Sequence, residues 1–419
     1  MAVSPQVMPR DVIVVGAGAV GLCSAIELAS RGARVTLVER GLPGAANSTL
    51  TGGGIRQQFG TPTNIAMSRL SAPFWSGFAE RFGVDPLFNP IGYLFIARSE
   101  AESDELRARV RLQNQLGVDS EHLAGSEIAH RWPALAPRDF VGAGFRQADG
   151  WANQHRIIDG LVRGALAAGV ELLSGTECRA IERDGGRVVG IRTTDGRIAA
   201  DLVVLATGPW VAPLLRPLGI DLPVVGRRHE LLIVEPAMPL PAGLPWLIGV
   251  GDQVHVRPDA PGRALVGGFL GRDDPADPDS FSTRADETWA REVLARAGQV
   301  LGVVDGRAAI RHGWAGLYPA TPDRHPIVDR LADEPTARWA SRAPGWSRAG
   351  RGHAGRRADR RRRDRVDGRG ADGGESLRNG WRHRDQRILS GPLLRPRRSR
   401  GQFVRNPSPP KARPTWTSS

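Results

Sequence analysis

The chain has 419 residues, which is long enough for a large core and for two subdomains. Its net charge of +13 and a pI of about 11.2 would suggest a polyanionic partner, but the charge is unevenly spread. Residues 336–419 carry 23 Lys and Arg against 6 Asp and Glu, whereas residues 1–335 carry 34 against 38. The first 335 residues therefore have the composition of an ordinary, slightly acidic globular protein, and the charge does not make the whole chain a polyanion binder.

The N-terminus reads MAVSPQVMPR, without the charged region, apolar run and cleavage site of a signal peptide. No apolar run reaches the roughly 18 residues of a membrane span. Cys23 and Cys178 are far apart in the sequence and offer neither a disulfide framework nor the spacing of metal ligands. We therefore predict a cytoplasmic protein without a metal site.

Residues 11–39 have the pattern of a strand, a helix and a second strand. The apolar run DVIVV enters GAGAVG, a helical pattern continues to Gly32, and ARVTLVER ends in the second strand at Glu39. In such a unit Gly16 permits the tight turn, Gly18 lets the backbone approach a pyrophosphate, and Gly21 lets the helix pack closely on the strand. The helix N-terminus offers N–H groups to the phosphates. This combination predicts dinucleotide binding, and an acid at Glu39 favours FAD or NAD over NADP.

Three later segments do not continue the regular units of an NAD dehydrogenase. They read GGGIRQQF (residues 52–59), DLVVLATGPW (residues 201–210) and GWAGLYPATPD (residues 313–323). With DVIVVGAGAVGLCSAIELASRGARVTLVER and PIGYLFIA, in this order over about residues 10–330, the chain resembles the glycine oxidase, sarcosine oxidase and D-amino-acid oxidase family of FAD-dependent oxidoreductases. Within it, the chain is most similar to sarcosine oxidase β-subunit-like members, and this resemblance leaves a partner subunit open.

The resemblance implies an α/β fold in which a Rossmann-type FAD domain is interleaved with a β-rich (α+β) substrate domain. The implied FAD-domain segments are residues 8–85, 146–215 and 321–335, and the implied substrate-domain segments are residues 86–145 and 216–320. Residues 336–419 are then an Arg-rich tail. Because Leu, Ile, Val and Phe supply only 8 of these 84 residues, we expect the tail to be disordered.

The resemblance also implies a set of site residues and non-covalently bound FAD. The implied cofactor-binding residues are Gly16, Gly18, Ala19, Gly21, Glu39, Arg40, Ser48, Gly54, Ile55, Gln57, Cys178, Ala206, Thr207 and Gly208. Arg56 and Tyr318 are the candidate catalytic residues. In monomeric sarcosine oxidases a cysteine two residues before this tyrosine carries the flavin covalently, and Gly316 stands there in this chain.

Several of these residues also have simpler interpretations. The glycines at 52–54 also fit a flexible loop, and the ATGP segment also fits a plain turn. Arg56 contacts either the flavin or a substrate carboxylate, or pairs with a surface acid. Tyr318 is either a core aromatic or a site-lining residue, and Cys178 is better interpreted as a small buried residue than as a reactive thiol. His255 and Arg257 alternate with apolar residues, so their face of the strand either looks into the substrate cavity or carries polar residues on a strand surface, and we favour the second interpretation.

The implied chemistry is oxidation of a small amine or amino acid by hydride transfer to flavin N5, with an arginine holding the substrate carboxylate. The electron acceptor is O2 or a carrier. Monomeric sarcosine oxidases use a lysine over the flavin to activate oxygen, and residues 1–335 contain no lysine. This favours reoxidation by a carrier, although the use of 56 Arg against 1 Lys also indicates GC-rich coding DNA.

The arginine-rich tail admits two hypotheses. The family continues past TPD with a strand, a Gly-rich turn and a long helix against the flavin, whereas apolar periodicity here stops near Pro335. Arg, Gly, Ala and Pro are what GC-rich DNA yields out of frame, so we favour a frameshift between about codons 330 and 345 that impairs the enzyme. The alternative is a nucleic-acid-binding protein that uses a basic C-terminal arm, with Trp339, Trp346, Trp381 and Trp416 to stack bases.

Overall fold

The structure is a computed structural model that describes residues 10–135, 139–272 and 275–330, together with the backbone of residues 337–340. The described strands, in chain order, are β1 (Asp11–Val15), β2 (Arg34–Glu39), β3 (Gly54–Ile55), β4 (Tyr93–Ala97), β5 (Glu121–Ala124), β6 (Gly142–Arg146), β7 (Gly150–Trp151), β8 (Glu171–Ser174), β9 (Cys178–Asp184), β10 (Arg187–Thr193), β11 (Gly196–Ala199), β12 (Leu202–Leu205), β13 (Val225–Glu235), β14 (Trp246–Gly249), β15 (Val254–Pro258), β16 (Ala264–Gly268), β17 (Pro275–Ala276), β18 (Ala309–Ala320), β19 (Val328–Arg330) and β20 (Ala337–Ala340). The described α-helices are α1 (Ala19–Ala29), α2 (Pro62–Ser76), α3 (Phe78–Phe82), α4 (Glu100–Gln115), α5 (Gly125–Arg131), α6 (Gln154–Ala167), α7 (Val211–Leu215) and α8 (Glu287–Val300).

A six-stranded sheet carries the dinucleotide motif. Its order is β19-β20-β12-β1-β2-β8, and β1 pairs in parallel with both β2 and β12. All four residues of β12 are buried, as are the last four of β1, which is expected of parallel strands covered on both faces. α1 and α6 pack on one side of this sheet, where Leu22, Ile26 and Leu161 belong to one buried cluster. The glycine turn after β1 is therefore held on a rigid frame.

A nine-stranded sheet forms the second layer of the fold. Its order is β17-β13-β16-β15-β14-β4-β6-β5, and β18 pairs along the whole of β13. One face packs under α8 through aliphatic residues such as Leu247, Val266 and Val293. The other face carries Tyr93, Trp246 and further aromatic side chains. Because strand residues alternate between faces, the same strands supply a core on one side and a wall of side chains on the other.

The two sheets alternate along the chain. Strands of the six-stranded sheet come from residues 11–39, 171–205 and 328–340, and strands of the nine-stranded sheet come from residues 93–146 and 225–320. A short pair, β3 with β7, and a three-stranded sheet, β11-β10-β9, complete the described strands. This arrangement confirms the predicted α/β fold with an interleaved β-rich domain. The precise domain boundaries stay predictions.

Four residues of the predicted C-terminal tail lie within the part of the chain that the structure describes. Residues 337–340, which the sequence analysis assigns to the tail, form β20, which pairs in parallel with β12 and antiparallel with β19. The six-stranded sheet thus includes four residues beyond Pro335, where apolar periodicity was expected to end. The rest of the tail prediction, residues 341–419, lies outside the described residues.

No helix in the described part of the chain is both long enough and apolar enough to cross a membrane.

α2 is the second longest of the described helices, and its N-terminus is capped by the Thr61 hydroxyl, which accepts a hydrogen bond from the Asn64 N–H. α6 is capped in the same way by Asn153. Both helices border the cleft described next, because Trp75 of α2 and Ile157 of α6 line it.

Candidate active site

Two neighbouring cavities lie between the glycine turn and the nine-stranded sheet. The first, here the Glu39 cavity, has a volume of about 220 Å³ and is lined by Gly16, Glu39, Thr207 and Asp279, among others. The second, the Arg56 cavity, has a volume of about 280 Å³ and is lined by Arg56, Tyr93, Trp246 and Tyr318, among others. Six residues line both cavities: Gly18, Asn47, Ser48, Ala206, Gly208 and Pro209. The two cavities therefore form one cleft, whose combined volume lies in the range of about 300–1,000 Å³ that is usual for cofactor and ligand sites.

The glycine turn leaves no room for side chains at the wall of the cleft. Gly16 has φ of +98°, and a Cβ there would lie 2.8 Å from the Ala206 carbonyl oxygen. A Cβ at Gly21 would lie 1.8 Å from the Gly16 carbonyl oxygen, so the turn and α1 approach each other at backbone distance. At Gly18 a Cβ would project to within 3.0 Å of the Ser48 hydroxyl. The bare backbone that results, at the N-terminus of a helix, suits an anionic ligand.

Polar groups surround this turn. The Ser48 hydroxyl accepts a hydrogen bond from the Ala19 N–H at 3.0 Å, so it caps α1 from a separate loop. The Glu39 carboxylate accepts from the N–H groups of Ala17 at 2.8 Å and Gly41 at 2.9 Å, which fixes it at the end of β2. The buried Thr207 hydroxyl has no hydrogen-bond partner among the described residues. A glycine cradle, an oriented acid and an orphaned buried hydroxyl together fit a dinucleotide such as FAD.

Arg56 is oriented by the backbone that follows it. The N–H groups of Gln57 and Gln58 donate to the carboxylate of Asp149 at 3.0 and 3.3 Å, and Arg146 donates to the same group at 2.7 Å. Asp149 is only 1% exposed, and desolvation raises its pKa although Arg146 opposes the shift. A buried carboxylate that accepts three hydrogen bonds is a rigid anchor, so the segment that carries Arg56 is held in one conformation.

The Arg56 guanidinium lies among aromatic rings. Its carbon is 5.0 Å from the centre of the Phe59 ring, 5.8 Å from that of Tyr93 and 5.3 Å from that of Phe95. Desolvation lowers the pKa of Arg56, with Tyr93 and Asp149 acting in the opposite direction. An arginine remains a cation in proteins even so. The site therefore holds a positive charge enclosed by rings, and the guanidinium N–H groups have the chemistry to recognise an anion.

The nine-stranded sheet presents an aromatic wall to the Arg56 cavity. Tyr93 and Trp246 face each other with ring centres 4.7 Å apart, and the Trp246 Nε1–H donates to Nδ1 of His255 at 3.3 Å. Burial, assisted by the neighbouring Arg257, lowers the pKa of His255 to about 3. The imidazole is therefore neutral at neutral pH and carries its proton on Nε2. A Cβ at Gly54 would lie 2.1 Å from the Tyr93 hydroxyl, so the loop and the wall are in close contact.

Tyr318 lines the Arg56 cavity, and His229 packs against its ring. The centre of the His229 ring lies 4.5 Å from that of the Tyr318 ring and 4.4 Å from that of the Phe269 ring. Burial lowers the pKa of His229 to about 3, and burial raises the pKa of Tyr318 to about 12. Both side chains are therefore uncharged at neutral pH. Tyr318 lines the Arg56 cavity, which decides between the two interpretations in favour of a site-lining residue.

Our interpretation of His255 and Arg257 as polar residues on a strand surface is wrong. They are 8% and 2% exposed, and His255 lines the Arg56 cavity. Arg257 lies 4.0 Å from the centre of the Trp151 ring and forms an ion pair with Asp259 at 2.9 Å. Its guanidinium also donates to the Gly52 carbonyl at 3.3 Å, which ties the glycine loop to β15. Alternation along β15 did place both residues on one face, but that face is covered by the loop rather than by solvent.

The cleft brings together most of the residues implied by the resemblance. The lining residues are Gly16, Gly18, Ala19, Glu39, Arg40, Ser48, Gly54, Ile55, Arg56, Cys178, Ala206, Thr207, Gly208 and Tyr318. Gly21 is not among them, because it packs on Gly16. Gln57 lines neither cavity, and its backbone N–H binds Asp149 instead. Burial raises the pKa of the Cys178 thiol to about 11, so it is protonated at neutral pH.

Sequence reasoning did not identify several lining residues. Asn47 lines both cavities, and its side-chain oxygen accepts from the Leu317 N–H of β18 at 2.8 Å, which joins the loop after β2 to the nine-stranded sheet. Its only signal was its place beside Ser48. Tyr93 lay within the PIGYLFIA segment, but nothing in the pattern marked it as facing a cavity. Trp246 begins a wholly buried strand and gave no signal.

The charge of the cavity wall limits what it can bind. Among the described residues that line the Arg56 cavity, Arg56 alone is charged at neutral pH, since His255 is neutral and no lining residue is Asp, Glu or Lys. A single cation in an aromatic enclosure favours a small molecule with one carboxylate. A ligand with a second ammonium group would find no counterion there.

Comparisons with known proteins give a consistent result. A family model described as FAD dependent oxidoreductase (DAO) matches residues 11–351. Glycine oxidase of Pseudomonas aeruginosa is 30% identical over 334 residues, which cover 77% of this chain and 86% of that protein. Sarcosine oxidase subunit beta of Rhizobium meliloti is 26% identical over 329 residues, which cover 76% of each chain. The crystal structure of L-proline dehydrogenase from P. horikoshii matches with a TM-score of 0.72 and 25% identity, over 80% of this chain and 88% of that one.

Proposed function

The chain belongs to the family of FAD-dependent oxidoreductases, and we propose that it oxidises a small amine or amino acid of the sarcosine, glycine or D-amino-acid type. It is an oxidoreductase of CH–NH or CH–NH2 donors, and FAD is its cofactor. One observation carries the proposal: a single cleft runs from the glycine turn and Glu39 to an aromatic cavity whose only charged lining residue, among those described, is Arg56.

The residues of the cleft divide into two roles in this proposal. Gly16, Gly18 and the start of α1 hold the pyrophosphate, and Glu39 and Thr207 bind the adenosine side through their oxygen atoms. Gly54, Ile55 and the Arg56 cavity receive the isoalloxazine and the substrate. When bound, FAD would supply the two-electron acceptor that takes a hydride from the substrate carbon bearing the nitrogen, and the resulting imine would be hydrolysed. With Gly316 in place of a cysteine, the cofactor is held non-covalently.

The protein's own part in the reaction is binding and orientation. Arg56 binds the substrate carboxylate through its N–H edge, and the contacts of its segment with Asp149 keep it in place. Tyr93, Trp246 and Tyr318 exclude water from the cavity. The described wall offers no group that titrates near neutral pH to take the proton of a substrate ammonium. The substrate therefore reacts as the free amine.

The same wall supports a carrier as electron acceptor. Activation of O2 is favoured by a cation that stabilises negative charge as it develops, and no lysine occurs in residues 1–335. His255 is neutral and Arg56 is engaged by the substrate carboxylate in this proposal. We therefore propose a dehydrogenase-type reoxidation. A partner subunit and a cytoplasmic location belong to the same proposal.

Steady-state oxidation of a substrate panel tests the proposed function. The panel contains sarcosine, glycine, D-alanine and L-proline, together with methylamine and putrescine as compounds without a carboxylate. We expect turnover of at least one amino acid, faster with a redox dye than with O2, and no turnover of putrescine. Turnover of the diamine with none of the amino acids would contradict the assigned role of Arg56.

The pH dependence of the reaction should follow the substrate and not the enzyme. Protonation of His229 and His255 occurs only near their folded pKa of about 3, and Tyr318 loses its proton only near 12. Between about pH 5 and pH 8, where an ordinary histidine titrates, the wall keeps its charge. We expect kcat/KM to rise with pH according to the fraction of free amine, and to shift when substrates of different amine pKa are compared. A rise of kcat/KM at the same pH for every substrate would contradict the conclusion that the substrate amine, and not the enzyme, sets the pH dependence.

We retain the frameshift as a proposal for residues beyond β20. Its support is compositional, namely the excess of arginine and the loss of apolar residues after residue 340. The family's last helix would add its N-terminal dipole to the flavin site, which is worth up to about 2 kcal/mol. We therefore expect a gene with the frame restored to bind FAD up to about 30-fold more tightly than the 419-residue chain. Resequencing the coding DNA and titrating both proteins with FAD test this proposal. Equal FAD affinities, together with no alternative reading frame that encodes a strand, a Gly-rich turn and a helix, would contradict it.

The alternative function, nucleic-acid binding by a basic arm, is not favoured. The cleft and the family membership support an enzyme, and the arginine-rich segment lies outside the described residues. A filter-binding assay with a salt titration separates the two functions, because phosphate contacts would give a steep loss of affinity with salt. We expect no such binding from a protein that carries the flavin spectrum.

A further inference from the structure

Three side chains from different parts of the chain meet at the edge of the Glu39 cavity. Arg40 follows β2, Trp210 lies in the turn after β12, and Asp279 lies between β17 and α8. The Arg40 guanidinium donates to Asp279 Oδ1 at 2.8 Å, and the Trp210 Nε1–H donates to the same oxygen at 2.7 Å. The guanidinium carbon of Arg40 also lies over the Trp210 ring, 4.3 Å from its centre. We call this group the Arg40 clamp.

The Arg40 clamp joins the two sheets across the cleft. Arg40 and Trp210 are attached to strands of the six-stranded sheet, whereas the segment with Asp279 leaves β17 of the nine-stranded sheet. A local turn holds this segment, because the Asp277 carboxylate accepts from the Asp279 N–H at 3.0 Å and from the Ser280 hydroxyl at 3.1 Å. Asp279 is thus presented to Arg40 by a fixed backbone and not by a freely moving loop.

The positions of these side chains fit an element that retains a ligand. All three line the Glu39 cavity, yet the side chains of Arg40 and Asp279 are 44% and 61% exposed, so they lie between the cavity and solvent. An arginine side chain loses much rotamer freedom when it is held in one geometry. Asp279 and Trp210 together impose that geometry through one hydrogen-bonded oxygen and one ring face.

We propose that the Arg40 clamp slows the release of the bound dinucleotide, with Asp279 and Trp210 as positioning residues that hold Arg40 over the Glu39 cavity. This inference rests on the proposed FAD site. It assigns a role in cofactor retention to Trp210 and Asp279, which lie outside the glycine turn, and Asp279 belongs to the segment that follows β17 of the nine-stranded sheet. Because changes to individual contacts act mostly on dissociation, loss of the clamp should raise the dissociation rate constant more than it changes the association rate constant.

Release of FAD measured by its fluorescence tests the clamp. The purified chain is loaded with FAD and diluted, and the rise of free FAD fluorescence gives the dissociation rate. Asp279→Asn removes the charge at nearly constant shape, and Asp279→Glu keeps the carboxylate on a longer side chain. Trp210→Phe removes the N–H donor and keeps an aromatic ring. The control is Asp159→Asn, because Asp159 forms an exposed pair with Arg163 at 3.0 Å on α6 and lines neither cavity.

The expected results differ between the variants. Exposed ion pairs contribute up to about 1 kcal/mol each, which is a factor of about 5, so Asp279→Asn should speed release about 2- to 5-fold and Trp210→Phe about 2-fold. Asp279→Glu should release FAD more slowly than Asp279→Asn but faster than the wild-type chain. Asp159→Asn should release FAD at the wild-type rate. High ionic strength should accelerate release from the wild-type chain more than from Asp279→Asn, because that variant has already lost the pair.

Two results would overturn the inference in distinguishable ways. If the wild-type chain binds FAD and Asp279→Asn releases it at the same rate or more slowly, the clamp is wrong and the proposed function stands. Slower release would mean that the carboxylate mainly repels the phosphates of the cofactor. If the wild-type chain binds no FAD, the proposed cofactor site fails, and the clamp fails with it.

Discussion

Replacing Arg56 with glutamine should lower kcat/KM for an amino-acid substrate by about 30- to 5,000-fold. The reason is that removing one partner of a desolvated charge pair costs about 2–5 kcal/mol, and each 1.36 kcal/mol is tenfold in rate. The surroundings cannot compensate, because no other described residue that lines the Arg56 cavity is charged at neutral pH. The kcat/KM of Arg56→Lys should lie between those of the wild-type chain and Arg56→Gln, since an ammonium keeps the charge but not the bidentate geometry of a guanidinium. Steady-state kinetics with saturating FAD measure the effect.

Two controls separate a carboxylate-binding role from a general loss of structure. A substrate that lacks the carboxylate, such as methylamine, should react equally poorly with the wild-type chain and with Arg56→Gln. Arg163→Gln, which changes an exposed arginine of α6 with a 63% accessible side chain, should behave as wild type. If Arg56→Gln turned over the amino acid at the wild-type rate, or lost its visible flavin spectrum altogether, the assignment would be wrong.

Replacing Gly18 with valine should weaken FAD binding by about 5- to 150-fold. A side chain at this position would project beside the Ser48 hydroxyl, where a Cβ alone already comes to 3.0 Å, and into the wall shared by both cavities. Overpacking of this kind costs about 1–3 kcal/mol, which converts to that range in Kd. The backbone adds no strain of its own, because Gly18 has φ of −73°, which any residue can adopt. Titration of the apoprotein with FAD measures it.

The matched control is Gly306→Val. A Cβ at Gly306 meets no atom within 4 Å, so the same substitution there should leave both FAD affinity and thermal stability near the wild-type values. Far-ultraviolet circular dichroism shows whether Gly18→Val keeps its secondary structure. Wild-type affinity in a folded Gly18→Val protein would remove the glycine turn from the cofactor site.

The parts of the fold that follow from the sequence are those in which local pattern and tertiary structure agree. The strand, turn and helix around Gly16 could be predicted because an apolar run, three spaced glycines and a terminal acid each have a physical reason there. The structure confirms this prediction: β1, α1 and β2 occupy the expected segments, and a Cβ at Gly21 would overlap the Gly16 carbonyl. The resemblance supplied the interleaved second domain, which no local pattern could have given.

The site was less predictable where long-range contacts decide it. His255 and Arg257 looked like surface residues because β15 alternates polar and apolar side chains, yet a loop from residues 52–54 covers the polar face. Gln57 shares a segment with Arg56 but lines neither cavity, and its backbone N–H is bound by the distant Asp149 carboxylate, which the sequence does not indicate. Trp246 gave no signal because a fully buried strand has no polar face that would mark a cavity.

The Arg40 clamp shows the same limit in another form. Arg40 was implied as a cleft residue by its place after Glu39, but its partners are Trp210 and Asp279, about 170 and 240 residues further along the chain. Nothing in a single sequence couples such positions. The strand at residues 337–340 is a further example, because its pairing with β12 is visible only in the sheet and not in a segment that is poor in large apolar residues.

The central claim is that the cleft binds FAD and passes electrons to it from an amino acid. The most direct test is anaerobic mixing of the FAD-loaded chain with sarcosine, glycine, D-alanine and L-proline, each at several concentrations, while the visible absorbance of oxidised flavin is followed. We predict bleaching by at least one of these amino acids, at a rate that saturates with substrate and that falls in Arg56→Gln. Flavin that stays oxidised with all of them, or a purified chain that takes up no FAD, would contradict the account.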